Sequence, residues 1–150
     1  MRDRKTFARL IVVACFVLPI AACQTFGTEG LIASSAPAEL SSTTADTIAR
    51  DLASKLVEHI GPGTGTIVLA STDAPFASAL EAALRAKGYA VTREGAAGEG
   101  ASIPLAYVVD RGVGEILVRL SSKTLDLTRT YRETPTGAVP SSPLSLQQRG

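Results

Sequence analysis

Residues 66–91 read TIVLASTDAPFASALEAALRAKGYAV, and this stretch decides the fold of the chain. Its first five residues form a short, β-branched apolar run that is typical of a buried strand. Pro75 suits the first turn of a following helix, Gly88 suits the position just after its end, and residues 89–93 return as a strand. Three polar residues can cap the helix: Ser71, Thr72 and Asp73. The pattern predicts a strand–helix–strand unit, with its two strands adjacent or split by a third.

A longer helix is predicted ahead of this unit, over residues 44–60. Apolar side chains recur there at i, i+1, i+4 and i+5, which marks one helical face. Thr43 and Asp46 have the spacing of an N-terminal capping box, with Asp in place of Glu. Gly61 follows the last apolar residue and ends the helix.

Three more strands are predicted after the unit, at residues 103–110, 115–120 and 123–132. The last of these alternates strictly between two sets of side chains, which is typical of a half-buried antiparallel strand. The element order α-β-α-β-β-β-β predicts the α+β class. We expect a small two-layer domain, in which two helices pack on a mixed or antiparallel sheet of about four to five strands.

The first 22 residues have the pattern of a bacterial export signal. A basic start precedes an uncharged apolar run, and small residues stand before Cys23. A membrane-spanning helix that stays attached is the alternative. The apolar run of 13 residues is, however, shorter than the roughly 20 residues that a span needs. We therefore expect residues 1–22 to be removed.

Composition divides the rest of the chain into three segments. Residues 23–42 are rich in Ser, Thr, Ala and Gly, which predicts a flexible tether behind Cys23. The alternative is that residues 31–40 add a strand or turn to the domain. Residues 43–133 form the expected folded domain. Residues 134–150, with three prolines and many serines, predict an extended or disordered tail.

Charge and cysteine content narrow the classes of function. Residues 1–22 hold four of the 15 basic and one of the 14 acidic residues, so the remainder carries 11 basic and 13 acidic residues. No block of like charge occurs, and we expect no direct binding to nucleic acid. Cys15 lies in the predicted signal, so a chain acylated on Cys23 has no free thiol and no disulfide.

The sequence contains no clear phosphate-binding, metal-binding or catalytic motif, and the residues that come nearest to one have structural interpretations. Gly61, Gly63 and Gly65 follow a helix and open a strand, whereas a phosphate-binding loop follows a strand and opens a helix. His59 is the only histidine and has no cysteine or carboxylate cluster beside it, which makes a poor metal site. No Gly-x-Ser-x-Gly motif is present. We expect no catalytic residue, no metal and no cofactor.

The acidic residues form no recognisable catalytic pair. Asp73 and Glu81 lie eight positions apart on one helix, and Asp110 and Glu115 flank a hairpin. Neither resembles the carboxylate pair of a glycosidase. The most charged part of the predicted sheet comprises Asp110, Arg111, Glu115 and Arg119. A solvated hairpin is the favoured interpretation of this patch, and a partner-binding patch is the alternative.

Several of these stretches resemble the TrbH family of conjugal transfer lipoproteins. The likeness is carried by residues 66–76 and 80–91, by the strand IPLAYVVD at residues 103–110, and by the hairpin over residues 120–131 with its terminal RTYR. These are largely strand, cap and core residues. The sequence IAAC at residues 20–23 also resembles the lipobox of bacterial lipoproteins. The resemblance therefore covers most of the chain.

The resemblance implies a non-enzymatic structural component of a conjugative type IV secretion apparatus, which moves plasmid DNA between cells. Cys23 is then the lipidated residue, with a diacylglyceryl group on its thiol and a third acyl chain, such as palmitate, on its amine. Gln24 stands where an inner-membrane retention signal has aspartate, which implies the outer membrane, facing the periplasm. The implied partners are outer-membrane core subunits of the channel, and analogy with modules around secretins implies a ring-like homo-oligomer.

The alternative function is a periplasm-facing lipoprotein that binds a small ligand or a cell-wall glycan between helix and sheet. Glycan binding uses aromatic platforms, and the aromatic residues of the predicted domain are Phe76, Tyr89, Tyr107 and Tyr131. An enzyme of unknown type is a second alternative, which requires an ordered polar cluster around His59.

Overall fold

The computed structural model describes residues 34–36, 39–63, 65–70, 74–93 and 102–149. Within these residues, two helices pack on a mixed sheet of seven strands, so the predicted α+β class is confirmed. The helices are α1 (Ser42–Ile60) and α2 (Pro75–Ala86). The strands are β1 (Thr66–Ala70), β2 (Ala90–Arg93), β3 (Ser102–Arg111), β4 (Ile116–Ser121), β5 (Leu125–Thr134), β6 (Gly137–Pro140) and β7 (Ser145–Gln148).

The strand–helix–strand unit forms as predicted, and its two strands are adjacent. β1 lies parallel to β2 on one side and to β3 on the other, with Ile67 opposite both Val91 and Ile103. β4 and β5 then continue the sheet as an antiparallel meander. Strand order is therefore β2-β1-β3-β4-β5, with β6 and β7 both pairing with β5.

The ends of α2 agree with the sequence where the structure describes them. Pro75 occupies the first turn, and Gly88 follows the C-cap with a φ of 91°, a conformation that glycine adopts without steric cost. The N-cap position is Ala74, whose side chain makes no capping hydrogen bond. The predicted capping residues lie outside the described residues: Ser71, Thr72 and Asp73.

The predicted capping box of α1 is wrong. The N-cap is Ser41, whose Oγ accepts a hydrogen bond from the backbone N–H of Thr44 at 3.1 Å. Helix α1 therefore begins at Ser42, two residues before the predicted start. Asp46 instead pairs with Arg50 at 3.7 Å on the exposed side of the helix. Ser41 and Thr44 have the same three-residue spacing that Thr43 and Asp46 offered, so local pattern alone did not separate the two caps.

The predicted count of four to five strands is too low, because residues 134–150 contribute β6 and β7. Both strands pair antiparallel with the same edge of β5. Between them, residues 141–144 lie opposite only residues 129–130, so β6 and β7 form one edge strand interrupted by a bulge. Pro140 precedes the bulge, and Pro143 lies within it. An edge strand tolerates proline because its outer N–H groups need no partner, which is why composition suggested a tail.

The bulge is held by specific hydrogen bonds from β5. Arg129 Nε donates to the carbonyl of Ser142 at 3.0 Å, and the backbone N–H of Thr130 donates to Ser142 Oγ at 3.0 Å. The N–H of Ser141 returns a bond to the Thr130 carbonyl at 2.9 Å. A bulge interrupts the regular hydrogen bonds between strands and leaves backbone groups without partners. Ser141 and Ser142, which suggested disorder in the sequence, supply those partners here.

One carboxylate connects the helix layer to this part of the sheet. Asp51 Oδ2, on α1, accepts a hydrogen bond from the Tyr131 hydroxyl at 2.7 Å and another from the Arg129 guanidinium at 3.0 Å. Burial and the neighbouring Asp51 carboxylate raise the pKa of Tyr131 well above the usual tyrosine value. The hydroxyl therefore stays protonated and acts as a donor.

We expect Asp51→Ala to lower the free energy of unfolding by about 1–3 kcal/mol. The substitution leaves the Tyr131 hydroxyl and the Arg129 guanidinium without their acceptor in a partly buried site. Urea denaturation of the purified protein measures the change.

Asp46→Ala is the matched control on the same helix. Its partner Arg50 has 72% of its side chain exposed, and the pair is 3.7 Å long, so its loss changes stability by about 0.5 kcal/mol or less. Equal losses in the two variants would show that the Asp51 network has no special role.

The core lies between the two helices and one face of the sheet. That face contributes fully buried side chains from β1, β3, β4 and β5, among them Leu69, Leu105, Val118 and Leu127. Phe76 of α2 meets Tyr107 of β3 edge to face, with ring centroids 5.3 Å apart and an interplanar angle of 63°. Such aromatic pairs add to the stabilisation that burial gives.

The turn after α1 packs tightly against the end of α2. A Cβ at Gly63 lies 2.5 Å from the carbonyl carbon of Gly88 and 2.8 Å from the backbone nitrogen of Tyr89. The Tyr89 hydroxyl donates to the carbonyl of Gly61 and closes the contact. The glycine-rich turn is therefore a packing device, since backbone atoms cannot move aside for a methyl group.

We expect Gly63→Ala to lower the free energy of unfolding by about 1–3 kcal/mol, because the added methyl group overlaps backbone atoms. Gly112→Ala is the control, since a Cβ at that position meets nothing within 4 Å. The control changes stability by about 0.5 kcal/mol or less. Urea denaturation compares the two, and a Gly63→Ala protein as stable as wild type contradicts the packing assigned to this turn.

Candidate docking surface

Cys23 is the one residue to which the sequence assigns a chemical role, and it lies outside the described residues. The predicted signal segment also lies outside them, so the lipidation of Cys23 stays a prediction. Neither helix of the described part of the chain is both long and apolar enough to cross a membrane.

Part of the predicted tether is fixed to the sheet. The backbone N–H of Ser35 donates to the Tyr107 carbonyl at 2.9 Å, and the N–H of Val109 donates to the Ser35 carbonyl at 2.8 Å. The N–H of Tyr107 also donates to Ser34 Oγ at 3.1 Å. Ser35 thus pairs parallel with Val108, on the same edge of β3 where β1 pairs with residues 102–106. Leu40 is buried in the core, with 7% of its surface exposed. This arrangement is the alternative that the sequence left open for residues 31–40.

A second polar network lies where this segment meets α1. Arg111 donates to Glu133 Oε2 at 3.0 Å and to the carbonyl of Glu39 at 3.3 Å. The Thr44 hydroxyl donates to Glu133 Oε1 at 3.0 Å. The hydrogen bonds from Arg111 and Thr44 hold the pKa of Glu133 below its usual value. The network joins the start of α1 to the ends of β3 and β5.

We expect Glu133→Gln to flatten the loss of stability in acid. A carboxyl whose pKa is lowered in the folded state contributes stability above the usual glutamate pKa, and this contribution is lost as the pH falls through the folded value. The wild-type free energy of unfolding should therefore fall more steeply than that of the variant between about pH 5 and pH 3. Urea denaturation at stepped pH checks this, and parallel pH curves contradict it.

The structure divides the charged patch predicted around the β3–β4 hairpin. Arg111 turns to the helix side, and Glu115 pairs with Arg132 at 3.8 Å. Asp110 accepts a hydrogen bond from the backbone N–H of Arg111 at 2.8 Å. Arg119 lies on β4, on the same face as Asp110 and one same-face residue pair further along the sheet, and it forms no ion pair with it. The four residues therefore do not form one binding site.

The face of the sheet opposite the helices carries the remaining candidate surface. Residue pairing places alternate side chains of each strand on this face, and no helix of the described residues covers it. We call it the helix-free face and define it by Pro104, Val108, Leu117, Arg119, Thr128 and Thr130. Leu117 is 39% exposed, and the other five side chains are half-buried.

The helix-free face has an unusual composition for a solvated surface. By residue pairing, none of the seven described strands places a lysine or a glutamate on it. Besides Arg119, the charged residues on this side include Asp110 and Arg132 towards the β3–β4 hairpin and the Asp126–Arg149 ion pair towards the other end of β5. Depletion of lysine and glutamate, with arginine retained, is typical of protein–protein interfaces. From the sequence, the alternation of side chains in β4 indicates that its residues lie on two faces. It does not indicate which residues of neighbouring strands share the face with Arg119.

The other motifs singled out in the sequence have structural roles. His59 is exposed in the last turn of α1, beside a shallow cavity of about 180 Å³. Gly61 ends α1 with a φ of 90°, as predicted for a helix stop. Glu81 pairs with Arg85 and Arg93, and its predicted companion Asp73 lies outside the described residues. In the part of the chain that the structure describes, no His, Cys, Asp and Glu side chains group closely enough to hold a metal ion.

The aromatic residues on which glycan binding depends lie in the core. Phe76, Tyr107 and Tyr131 are each 1% exposed, and Tyr89 is 4% exposed. None of them offers a platform to a sugar ring. A groove of about 470 Å³ runs between α1 and α2, but its floor is a set of alanines at the helix crossing, and Asp46 and Arg50 at its rim pair with each other.

These observations define a small α+β domain whose polar networks serve its own structure and whose helix-free face is not covered by either described helix. The family model described as "Conjugal transfer protein TrbH" matches residues 26–150. The chain is also similar to "Probable conjugal transfer protein TrbH" of Sinorhizobium fredii (strain NBRC 101917 / NGR234), with 41% identity over 146 residues, 94% of this chain and 98% of the relative. The chain therefore belongs to the TrbH family of conjugal transfer proteins. No solved structure matches it.

Family membership confirms the resemblance seen in the sequence, and it supports a role in conjugation. The family description mentions no enzymatic activity. The family description does not mention an outer-membrane location or particular binding partners.

Proposed function

We propose that this protein is a non-enzymatic lipoprotein of the outer membrane that serves as a structural component of a conjugative type IV secretion apparatus. Its membership of the TrbH family over residues 26–150 carries this proposal. The anchor is Cys23, acylated on its thiol and its amine after removal of residues 1–22. Gln24 at the next position favours the outer membrane, with the domain facing the periplasm.

The attachment of Ser35 to β3 limits how far the domain lies from its anchor. Eleven residue steps separate Cys23 from Ser34, the first described residue. A fully extended chain of that length reaches about 36–40 Å. Three acyl chains give essentially permanent attachment, since each buried methylene contributes about 0.8 kcal/mol. The domain is thus held within one domain diameter or so of the bilayer surface.

Confinement to a membrane surface favours a role in assembly. A tethered domain meets membrane-bound partners at a high effective concentration, so weak contacts suffice to hold it in a complex. The expected partners are outer-membrane core subunits of the channel, and several copies can form a ring around it. Direct contact with the transferred DNA is not expected, because the chain after residue 22 carries no basic block.

The alternative functions have less support. A glycan or small-ligand binder lacks an exposed aromatic platform among the described residues, since all four candidate rings are at most 4% exposed. An enzyme built on His59 needs a polar cluster around it, and the cavity beside His59 is lined chiefly by Ile60, Leu125 and neutral polar residues together with Arg149.

We expect Cys23→Ser to abolish incorporation of labelled palmitate and to move the protein out of the membrane fraction. Loss of the anchor removes the high local concentration, so plasmid transfer from donor cells falls by at least about tenfold. Acyl labelling, membrane fractionation and mating assays measure the three effects.

Cys15→Ser is the matched control for Cys23→Ser. Cys15 lies in the predicted signal, so its replacement leaves labelling, location and transfer unchanged. Retained label in Cys23→Ser contradicts the anchor. Normal transfer by an unlabelled, soluble protein contradicts the need for anchoring.

A further inference from the structure

We propose that the helix-free face binds another subunit of the transfer apparatus, and that Arg119 anchors this contact by pairing with a carboxylate of that subunit. The inference rests on the proposed function and adds to it the surface, the residue and the chemistry of the partner. Three observations support it: Arg119 has no ion-pair partner among the described residues, its directly opposite neighbours are uncharged, and the strands place no lysine or glutamate on this face.

Arg119 differs from the other arginines of the described residues. Each of the others forms at least one ion pair of 3.8 Å or less. These paired arginines are Arg50, Arg85, Arg93, Arg111, Arg129, Arg132 and Arg149. Arg119 forms no ion pair and no side-chain hydrogen bond, although it is half-buried. The five N–H donors of this half-buried guanidinium therefore have no acceptor among the residues that the structure describes.

The position of Arg119 in the sheet explains why it has no ion-pair partner within the described part of the chain. It lies on β4, a central strand, directly opposite Val108 of β3 and Thr128 of β5. Leu117 and Ser121 are its neighbours on the same face of β4. All four are uncharged, and the acidic residues of this face lie diagonally from Arg119, with Asp110 opposite Leu117 and Asp126 opposite Ser121. A central position among short, neutral side chains is typical of an interface anchor, because arginine is enriched among the residues that dominate binding energy.

A carboxylate on a protein is the occupant that fits this face best. The planar guanidinium pairs with a carboxylate through two parallel hydrogen bonds, and Leu117, 39% exposed, adds apolar contact beside it. An anionic lipid surface is bound by clusters of roughly four to eight basic residues. The helix-free face has one unpaired arginine and no lysine. A second copy of the chain could offer Asp110 instead, and the second-site changes described below distinguish that occupant from another subunit.

The test replaces the full-length protein in donor cells with Arg119→Glu and measures plasmid transfer to recipients. We expect transfer to fall at least tenfold, as expected when a buried charge pair at an interface becomes a like-charge contact. Arg50→Glu is the matched control, since Arg50 is 72% exposed on the helix layer. It should transfer normally.

Two measurements separate a lost contact from a lost fold. The amount of Arg119→Glu protein in the envelope and its urea unfolding midpoint should match wild type, and Arg119→Gln, which adds no charge, should show a smaller loss of transfer in the same direction. Normal transfer by Arg119→Glu overturns the inference. So does a transfer loss that is accounted for by a reduced protein level.

Second-site changes that restore transfer to Arg119→Glu then identify the partner's chemistry. We expect Asp or Glu to become Lys or Arg in another protein of the apparatus. Restoring changes confined to this chain, including Asp110→Lys between copies, overturn the inference. Donor cells that lack the gene distinguish a failure of the proposed function from a failure of the inference about Arg119. If they transfer normally, the proposed function fails and the inference with it. If they lose transfer while Arg119→Glu keeps it, only the inference fails.

Discussion

A single oxygen atom, Asp51 Oδ2, joins the two layers of this domain at the point where the sheet is least regular. It accepts hydrogen bonds from Arg129, which lies on β5 opposite the bulge, and from Tyr131, which pairs with Pro140 just before it. Arg129 also donates to Ser142 within the bulge. The carboxylate therefore fixes the orientation of α1, the path of β5 and the break between β6 and β7. A one-residue slip of β5 would turn these side chains away from the helix.

The parts of the fold that sequence predicts are those with a strong period. The strand–helix–strand unit, α1 and the meander from β3 to β5 show the 3.6-residue or two-residue repeats that burial of one face imposes. β6 and β7 have no such repeat, because they form an edge strand bent at a bulge and rich in proline and serine. They are held by contacts with Arg129 and Thr130, 12 to 13 residues away, and with Thr44, 93 residues away. Local patterns cannot report such contacts.

The candidate surface was predictable only in part for a related reason. Alternation along β4 places Arg119 on the face opposite the core, but whether a charge finds a partner depends on the strands beside it. Here β3 and β5 present Val108 and Thr128. The charged patch that looked continuous in sequence is divided, since Arg111 turns to Glu133 on the other side of the sheet. Neighbours in sequence lie on opposite faces of a strand, so a charged run says little about a shared surface.

The two faces of the sheet thus have separate roles. One face is used for stability, with a continuous core and two polar networks that join α1, the N-terminal segment and the C-terminal strands. Among the described residues, the other face has no such network at its centre, where Arg119 lies. The N-terminal segment adds a directional constraint, because Ser35 is bound to β3, a strand of the sheet interior. An anchor at Cys23 would therefore act on the centre of the sheet, so that β3 and the helix-free face beside it are positioned together relative to the membrane.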